Sequence, residues 1–204
     1  RFDVAESEGP GFGSALSLNG GLEIDPLAPS PGTAGNAALG TRIEGRIDLA
    51  DFGGDGHVSG YFDDRDAGFT SPDLNVTEAQ TSAGIDGDIG IGARTRLTFG
   101  ADRFENDAGK TRNDTRIGVV QTLGTAWELQ LEAAHTDRAT PGSTLAKDNG
   151  TRTDLAAKLT WTRDADLSVW VIGQGTLAHA GGLGRNDRLG VGLSTRLGEA
   201  LTFT

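Results

Sequence analysis

The feature that most constrains this chain is a strict two-residue alternation sustained over long runs. From Thr77 to Ile91 the odd positions read Thr, Ala, Thr, Ala, Ile, Gly, Ile, Ile, while the even ones include Glu78, Gln80, Asp86 and Asp88. Leu97, Phe99 and Ala101 alternate with Arg96, Thr98 and Asp102. Trp127, Leu129, Leu131 and Ala133 alternate with Glu128, Gln130 and Glu132. Leu155, Ala157, Leu159 and Trp161 alternate with Asp154, Lys158 and Thr160, and Leu189, Val191, Leu193 and Leu197 with Arg188, Gly190, Ser194 and Arg196. A period of two means extended strands with one apolar and one polar face. No helical stripe fits, because glycines interrupt every one; there are 32 in 204 residues, roughly twice ordinary usage.

The runs recur at a nearly fixed distance. Asn36, Asn75, Asn113, Asn149 and Asn186 each precede one, at intervals of 39, 38, 36 and 37 residues. The last three open with related text: Asn113-Asp114-Thr115-Arg116, Asn149-Gly150-Thr151-Arg152 and Asn186-Asp187-Arg188. Such a period raises solenoids and propellers first. A propeller blade needs four short strands, and each unit here holds two long ones, so the unit is a hairpin.

The pattern predicts strands over 14–25, 39–50, 57–64, 77–88, 95–105, 113–122, 126–136, 151–161, 167–178 and 186–197, with a truncated one from 200, about eleven in all. Most exceed the mean soluble strand of about five or six residues and match the roughly 9–11 that cross a bilayer when tilted. Connections alternate: short ones at 51–56, 89–94, 123–125, 162–166 and 198–199, longer polar ones at 26–38, 65–76, 106–112, 137–150 and 179–185. Pro26, Pro29, Pro31, Pro72 and Pro141 all sit in the longer set, where no ladder hydrogen bond is lost. Residues 1–38 are less regular, a strand followed by a Pro/Gly-rich loop, whereas 39–204 carry the hairpin repeats of about 37 residues.

Long strands joined by alternating short and long connections are the layout of a transmembrane β-barrel. Turn-and-strand text such as Gly92-Ala93-Arg94-Thr95-Arg96-Leu97-Thr98-Phe99 and Gly192-Leu193-Ser194-Thr195-Arg196-Leu197-Gly198-Glu199-Ala200-Leu201-Thr202 resembles that of Gram-negative outer-membrane β-barrel proteins, in particular the barrel regions of large surface proteins and transporters. The resemblance covers about residues 36–204. It implies an all-β, antiparallel up-and-down meander forming part of a barrel in the cell outer membrane. The implied function is solute passage or transport, or anchoring of a larger surface protein.

On that reading Arg96, Asp102, Arg116, Glu128, Glu132, Asp154, Lys158, Arg188 and Arg196 face the lumen. Leu97, Phe99, Trp127, Leu129, Leu131, Leu155, Leu159, Trp161, Val191 and Leu193 face lipid. The lumenal charges either line a water path or form an ion-pair lattice, and the lattice is the simpler expectation. Trp127 follows one short turn and Trp161 precedes another, as in an aromatic girdle. Trp170 has the opposite parity to Leu167, Val169 and Val171 and has no place in the girdle.

Composition narrows the alternatives. With 18 Lys and Arg against 29 Asp and Glu, the net charge of −11 opposes nucleic-acid binding, which needs a concentrated basic surface. No cysteine is present, so disulfides, thiolate metal sites and cysteine nucleophiles are excluded. No apolar run of about 18 residues offers a membrane-spanning helix. Asp51-Phe52-Gly53-Gly54-Asp55-Gly56-His57 fits a tight turn better than a calcium loop, since Gly53 and Phe62 stand where an EF-hand requires oxygen ligands. Asp63, Asp64 and Asp66 could hold a divalent ion only loosely. His57, His135 and His179 have no metal spacing, and neither a Gly-x-Ser-x-Gly elbow nor a dinucleotide fingerprint occurs. The sequence therefore predicts no catalytic, cofactor or metal site and no enzyme activity. Outer-membrane lipid is the expected partner. The chain starts without Met and stops at Thr204 in mid-strand, so further chain is expected to complete the barrel. The rival reading is a soluble extracellular structural or adhesive β-protein; an enzyme on a β scaffold comes third.

Overall fold

The computed structural model describes residues 23–24, 38–71, 74–164, 167–197 and 201–203. They form β1 (Glu23–Ile24), β2 (Gly40–Asp48), β3 (Gly56–Arg65), β4 (Thr70–Ser71), β5 (Leu74–Asn75), β6 (Gln80–Ile91), β7 (Thr95–Asn106), β8 (Thr111–Leu123), β9 (Trp127–Ala139), β10 (Gly150–Asp164), β11 (Leu167–Gly181), β12 (Arg188–Leu197) and β13 (Leu201–Phe203). One eleven-stranded sheet runs β1-β2-β3-β6-β7-β8-β9-β10-β11-β12-β13, and β4 and β5 make a separate small hairpin. Every pairing in this sheet is antiparallel and joins strands consecutive in the chain, except that the small β4–β5 hairpin lies between β3 and its partner β6. Among the described residues there is no α-helix.

Nine of the strands are long, from 9 residues in β2 to 15 in β10 and β11; β1 and β13 are short pieces at the two edges. Against an expected count of about eleven, one of them truncated, the described residues hold nine long strands. Of the expected strand 14–25, all but Glu23–Ile24 lies outside the described residues. No ladder joins β1 to β13 among the described residues, so the sheet has two edges there.

Several boundaries differ from the sequence expectation, each for a local reason. Ile89 and Ile91 continue the alternation of β6, which leaves only 92–94 as its turn. Gly92 and Gly124 open the two matching three-residue turns with φ of 66° and 74°, a left-handed conformation that glycine adopts without a Cβ clash. Residues 49–50, expected in strand, belong to a single 3-10 turn at Leu49–Phe52, started by the Asp48 side chain accepting from the Ala50 N–H at 3.0 Å. The expected loop 106–112 shrinks to 107–110, because Thr111 and Arg112 pair with Glu105 and Phe104. Where β10 meets β11 the register shifts between Thr153 and Asp154, so Leu177 is left without a cross-strand partner, a β-bulge.

The sheet is inside out by the standard of a soluble protein. Among the described residues the buried hydrophobic ones are only Phe69, Val76, Ala156 and Leu183. Buried polar residues include Asp63, Glu132, Thr136, Asp154, Gln174 and Thr176. Meanwhile Val191 is 82% exposed, Ile117 62% and Leu193 50%. Burial follows polarity, not hydrophobicity.

Candidate functional site

Directly opposed residues of an antiparallel pair point to the same side of the sheet, so the register fixes both faces. One row reads Ile89, Leu97, Val119, Leu131, Ala157, Gly173, Leu189 across seven strands. A row on the other side reads Asp86, Gly100, Arg116, Ala134, Asp154, Thr176. Arg96, Asp102, Arg116, Glu128, Glu132, Asp154, Lys158 and Arg188 all fall on this polar face. Arg196 holds the same parity in β12, but its side chain lies outside the described residues. The ten residues expected on the apolar parity, from Leu97 to Leu193, all fall on the opposite face. Trp127 and Trp161 oppose each other at the short-turn end, with Leu123 beside Trp127.

The polar face is knit by ion pairs and hydrogen bonds that cross from strand to strand. Asp63 receives both Nε and Nη2 of Arg65 at 2.6 Å, and Nη1 of Arg42 at 2.9 Å from β2. Arg42 also pairs with Glu44 and lies over the Tyr61 ring at 5.3 Å. Tyr61 in turn donates to Asp102 at 3.0 Å, joining β3 to β7 across β6. That reach is possible because Gly84 stands between them: a Cβ there would collide with the Tyr61 ring and the Asp102 carboxylate. Near the short-turn end Asp88 is shared by His57 and Arg96, and Arg96 also meets Asp55 at 2.8 Å.

One arrangement occurs twice. In β8, Arg112 pairs with Asp114, which accepts from Thr136 of β9 at 2.8 Å. In β10, Arg152 donates to Asp154 at 2.7 Å, and Asp154 accepts from Thr176 of β11 at 2.7 Å. Both are clasps of Arg, Asp two residues on, and the Thr directly opposite on the next strand. The second continues outward. Asn186 N–H donates to the Thr176 hydroxyl at 2.7 Å, and Asp187 accepts from the Thr176 N–H at 2.8 Å and from Arg185 at 2.7 Å. The Arg185 guanidinium, and after it the Thr176 N–H, hold the Asp187 carboxyl below the ordinary range.

Sequence parity placed the acids and bases on one face but did not single out Tyr61, Asp114, Thr136 or Thr176, each of which bonds a residue on another strand. Trp170 finds its place here too: it lies on the polar face over Gly192, with the Lys158 ammonium 5.4 Å from its ring. Asp63 and Asp64 point to opposite faces, Asp64 accepting from Thr81 and Asp66 from the Leu39 N–H, so the three acids do not converge. Among the described residues no group of three or more potential ligands is placed to hold a metal ion. No protein-family model, curated protein or solved structure matches this chain.

Proposed function

We propose that this chain is wall of an integral outer-membrane β-barrel that serves solute passage or transport, or anchors a larger surface protein. The observation that carries the reading is the inverted polarity of the sheet: an exposed apolar face opposite a sheltered, ion-paired one. In water the exposed apolar face would be a cost with no return, since soluble monomers rarely expose large contiguous apolar patches. Against hydrocarbon it becomes the solvated face, and between the two edge strands the antiparallel ladders satisfy the backbone as lipid demands.

The apolar face is also bounded, which a lipid layer requires. At the short-turn end it finishes in Ile47, Ile91, Leu123, Trp127 and Trp161. At the long-loop end the same parity turns polar, through rows Arg103, Asn113, Asp137, Thr151 and Thr115, His135, Thr153. Strands that outrun the apolar band in one direction give the wall a water-facing skirt on the side of the longer loops. The polar face carries acids and bases in alternation, so a lumen lined by it would discriminate weakly by charge.

The test uses the complete protein, purified in detergent and mixed with phosphatidylcholine vesicles. Flotation with the vesicles, retained β-sheet circular dichroism and protection of the strands from protease are the expected results. Single-channel steps in a planar bilayer then select passage; insertion without conductance selects anchoring. A monodisperse monomer that unfolds cooperatively in plain buffer would overturn the membrane reading in favour of a soluble β-protein.

A further inference from the structure

The polar skirt above the apolar face is not uniform. Some of its side chains bond one another: Thr81 donates to Asp64 at 2.7 Å, and His135 Nδ1 lies 2.8 Å from the Thr153 hydroxyl. At one corner polar side chains stand beside a hollow instead. Arg103 of β7 stands directly opposite Asn113 of β8, and Thr115 lies two residues further along β8, opposite Ala101. The Arg103 side chain is 68% exposed and gives one nitrogen, Nη2, to Glu105 at 2.7 Å. Its Nε and Nη1, the Asn113 amide and the Thr115 hydroxyl bond to nothing among the described residues.

Beneath this corner the apolar face is hollowed. A shallow depression of about 400 Å³ is floored by Ala83, Ile85 and Ala101 and rimmed by Arg103, Asn113 and Thr115, with Gly84 and Asp102 also in its lining. Small side chains on two adjacent strands make the hollow, and its surface is almost wholly apolar. Unspent donors around a cation therefore meet an apolar trough at the level where the apolar face ends. That combination matches one ligand, an amphiphile with an anionic head and a hydrocarbon tail. Phosphate oxygens suit a guanidinium edge flanked by neutral donors, and a methylene chain suits the trough.

We propose that this corner is a lipid-binding site: a phosphate headgroup held by Arg103, Asn113 and Thr115, with one acyl chain lying over Ala83, Ile85 and Ala101. The site rests on the membrane reading above, because only a chain in a bilayer presents this face to lipid. Glu105 and Asp137 flank the corner and oppose an anion, so binding depends on Arg103 and is weakened by Glu105. The two side chains therefore have effects of opposite sign.

The full chain in dodecyl maltoside is offered dioleoyl phosphatidylglycerol or, as a headless comparator, dioleoylglycerol, and retained lipid is counted by native mass spectrometry. The wild type should retain the phosphatidylglycerol preferentially. Arg103→Gln should lower that retention about two- to fivefold, the worth of one exposed ionic contact, and Glu105→Gln should raise it. Ala101→Phe, which fills the trough, should lower retention of both lipids. Equal retention of phosphatidylglycerol by wild type and Arg103→Gln would overturn the site, as would displacement of the lipid by millimolar inorganic phosphate, which would mark a bare anion site. Flotation with phosphatidylcholine vesicles separates the two levels of failure. A wild type that floats yet shows no headgroup preference loses only this site, whereas one that does not float loses the membrane reading with it.

Discussion

The two faces of β10 differ by one residue of phase and by nearly everything else. Asp154 and Ala156 are buried at 3% and 1% exposure, whereas Leu155 between them is 44% exposed. A carboxylate is sheltered and a leucine is not, in adjacent positions of one strand. In a soluble sandwich that order costs free energy twice, once for the charge and once for the leucine. It costs little only where the leucine's surroundings are themselves apolar and the carboxylate is fully bonded. The lesson is that the fold spends its hydrogen bonds on one side and leaves the other to its solvent, so the two faces should fail by different mechanisms.

The sharpest break is on the polar side. Asp154→Ala removes the acceptor of both Arg152 and Thr176 and leaves the Arg152 cation, 11% exposed, without this carboxylate. Breaking a sheltered pair from one side costs about 3–5 kcal/mol. The double variant Arg152→Leu with Asp154→Leu should recover much of that loss, because no orphan charge remains. Chemical unfolding of the three proteins in the same vesicles measures both; a single variant as stable as the wild type would mean that the clasp is open in solution.

On the other face the expected failure comes from solvent rather than from a lost partner. Leu131 sits mid-row on the apolar face at 38% exposure. Leu131→Arg should cost about 2–4 kcal/mol near a bilayer midplane. The same substitution in water would relieve an exposed leucine and cost nothing. Unfolding in vesicles therefore reports directly on what covers this face, and an unchanged midpoint would take the lipid away.

Glycines give a third comparison. A Cβ at Gly84 on the polar face would strike Tyr61 and Asp102, whereas one at Gly45 on the apolar face meets nothing within 4 Å. Gly84→Val should therefore cost about 1–3 kcal/mol through overpacking, and Gly45→Val should be close to silent. If both variants unfold alike, the bridge from Tyr61 to Asp102 does not order the sheet.

These contrasts also mark how far the sequence could be read. Alternation alone assigned Leu131 and Glu132 to opposite faces, since successive residues of a strand must diverge. It could not pair Asp154 with Thr176, which lie 22 residues apart and meet only through the register of β10 on β11. Even a hairpin of known length would mislead by one residue there, because the ladder shifts between Thr162 and Asp164, on the turn side of this contact, and shifts back at Leu177 just beyond it. Trp170 was legible as an exception to the apolar parity, but its seat over Gly192 depends on β12, a strand it precedes by some twenty residues. The lipid corner was hidden for a different reason: Arg103 and Asn113 look like ordinary loop-end polar residues until the structure shows which donors are spent. Faces come from the sequence; partners come from the register.

The smallest expected effect tests where shelter ends along the polar face. Asp187 lies outside the strands, in the connection before β12, and its side chain is 47% exposed. Its carboxylate takes the Thr176 N–H at the point where β11 runs past the start of β12, standing in for a missing ladder bond. Arg185 first, and the Thr176 N–H second, lower its folded pKa below the unfolded value of about 4. A carboxyl depressed by folding contributes above the unfolded pKa and loses that contribution as pH falls through the folded one. Amide-exchange protection at Thr176 should thus be constant above about pH 4 and decline below it. Asp187→Asn should show weaker protection that no longer changes with pH in this window. Asp154, directly opposite Thr176 in the ladder, makes its contact with the Thr176 hydroxyl rather than the amide. A flat wild-type profile at Thr176 would mean that Asp187 does not cap the ladder in solution, and that the ordered polar face stops at Thr176 itself.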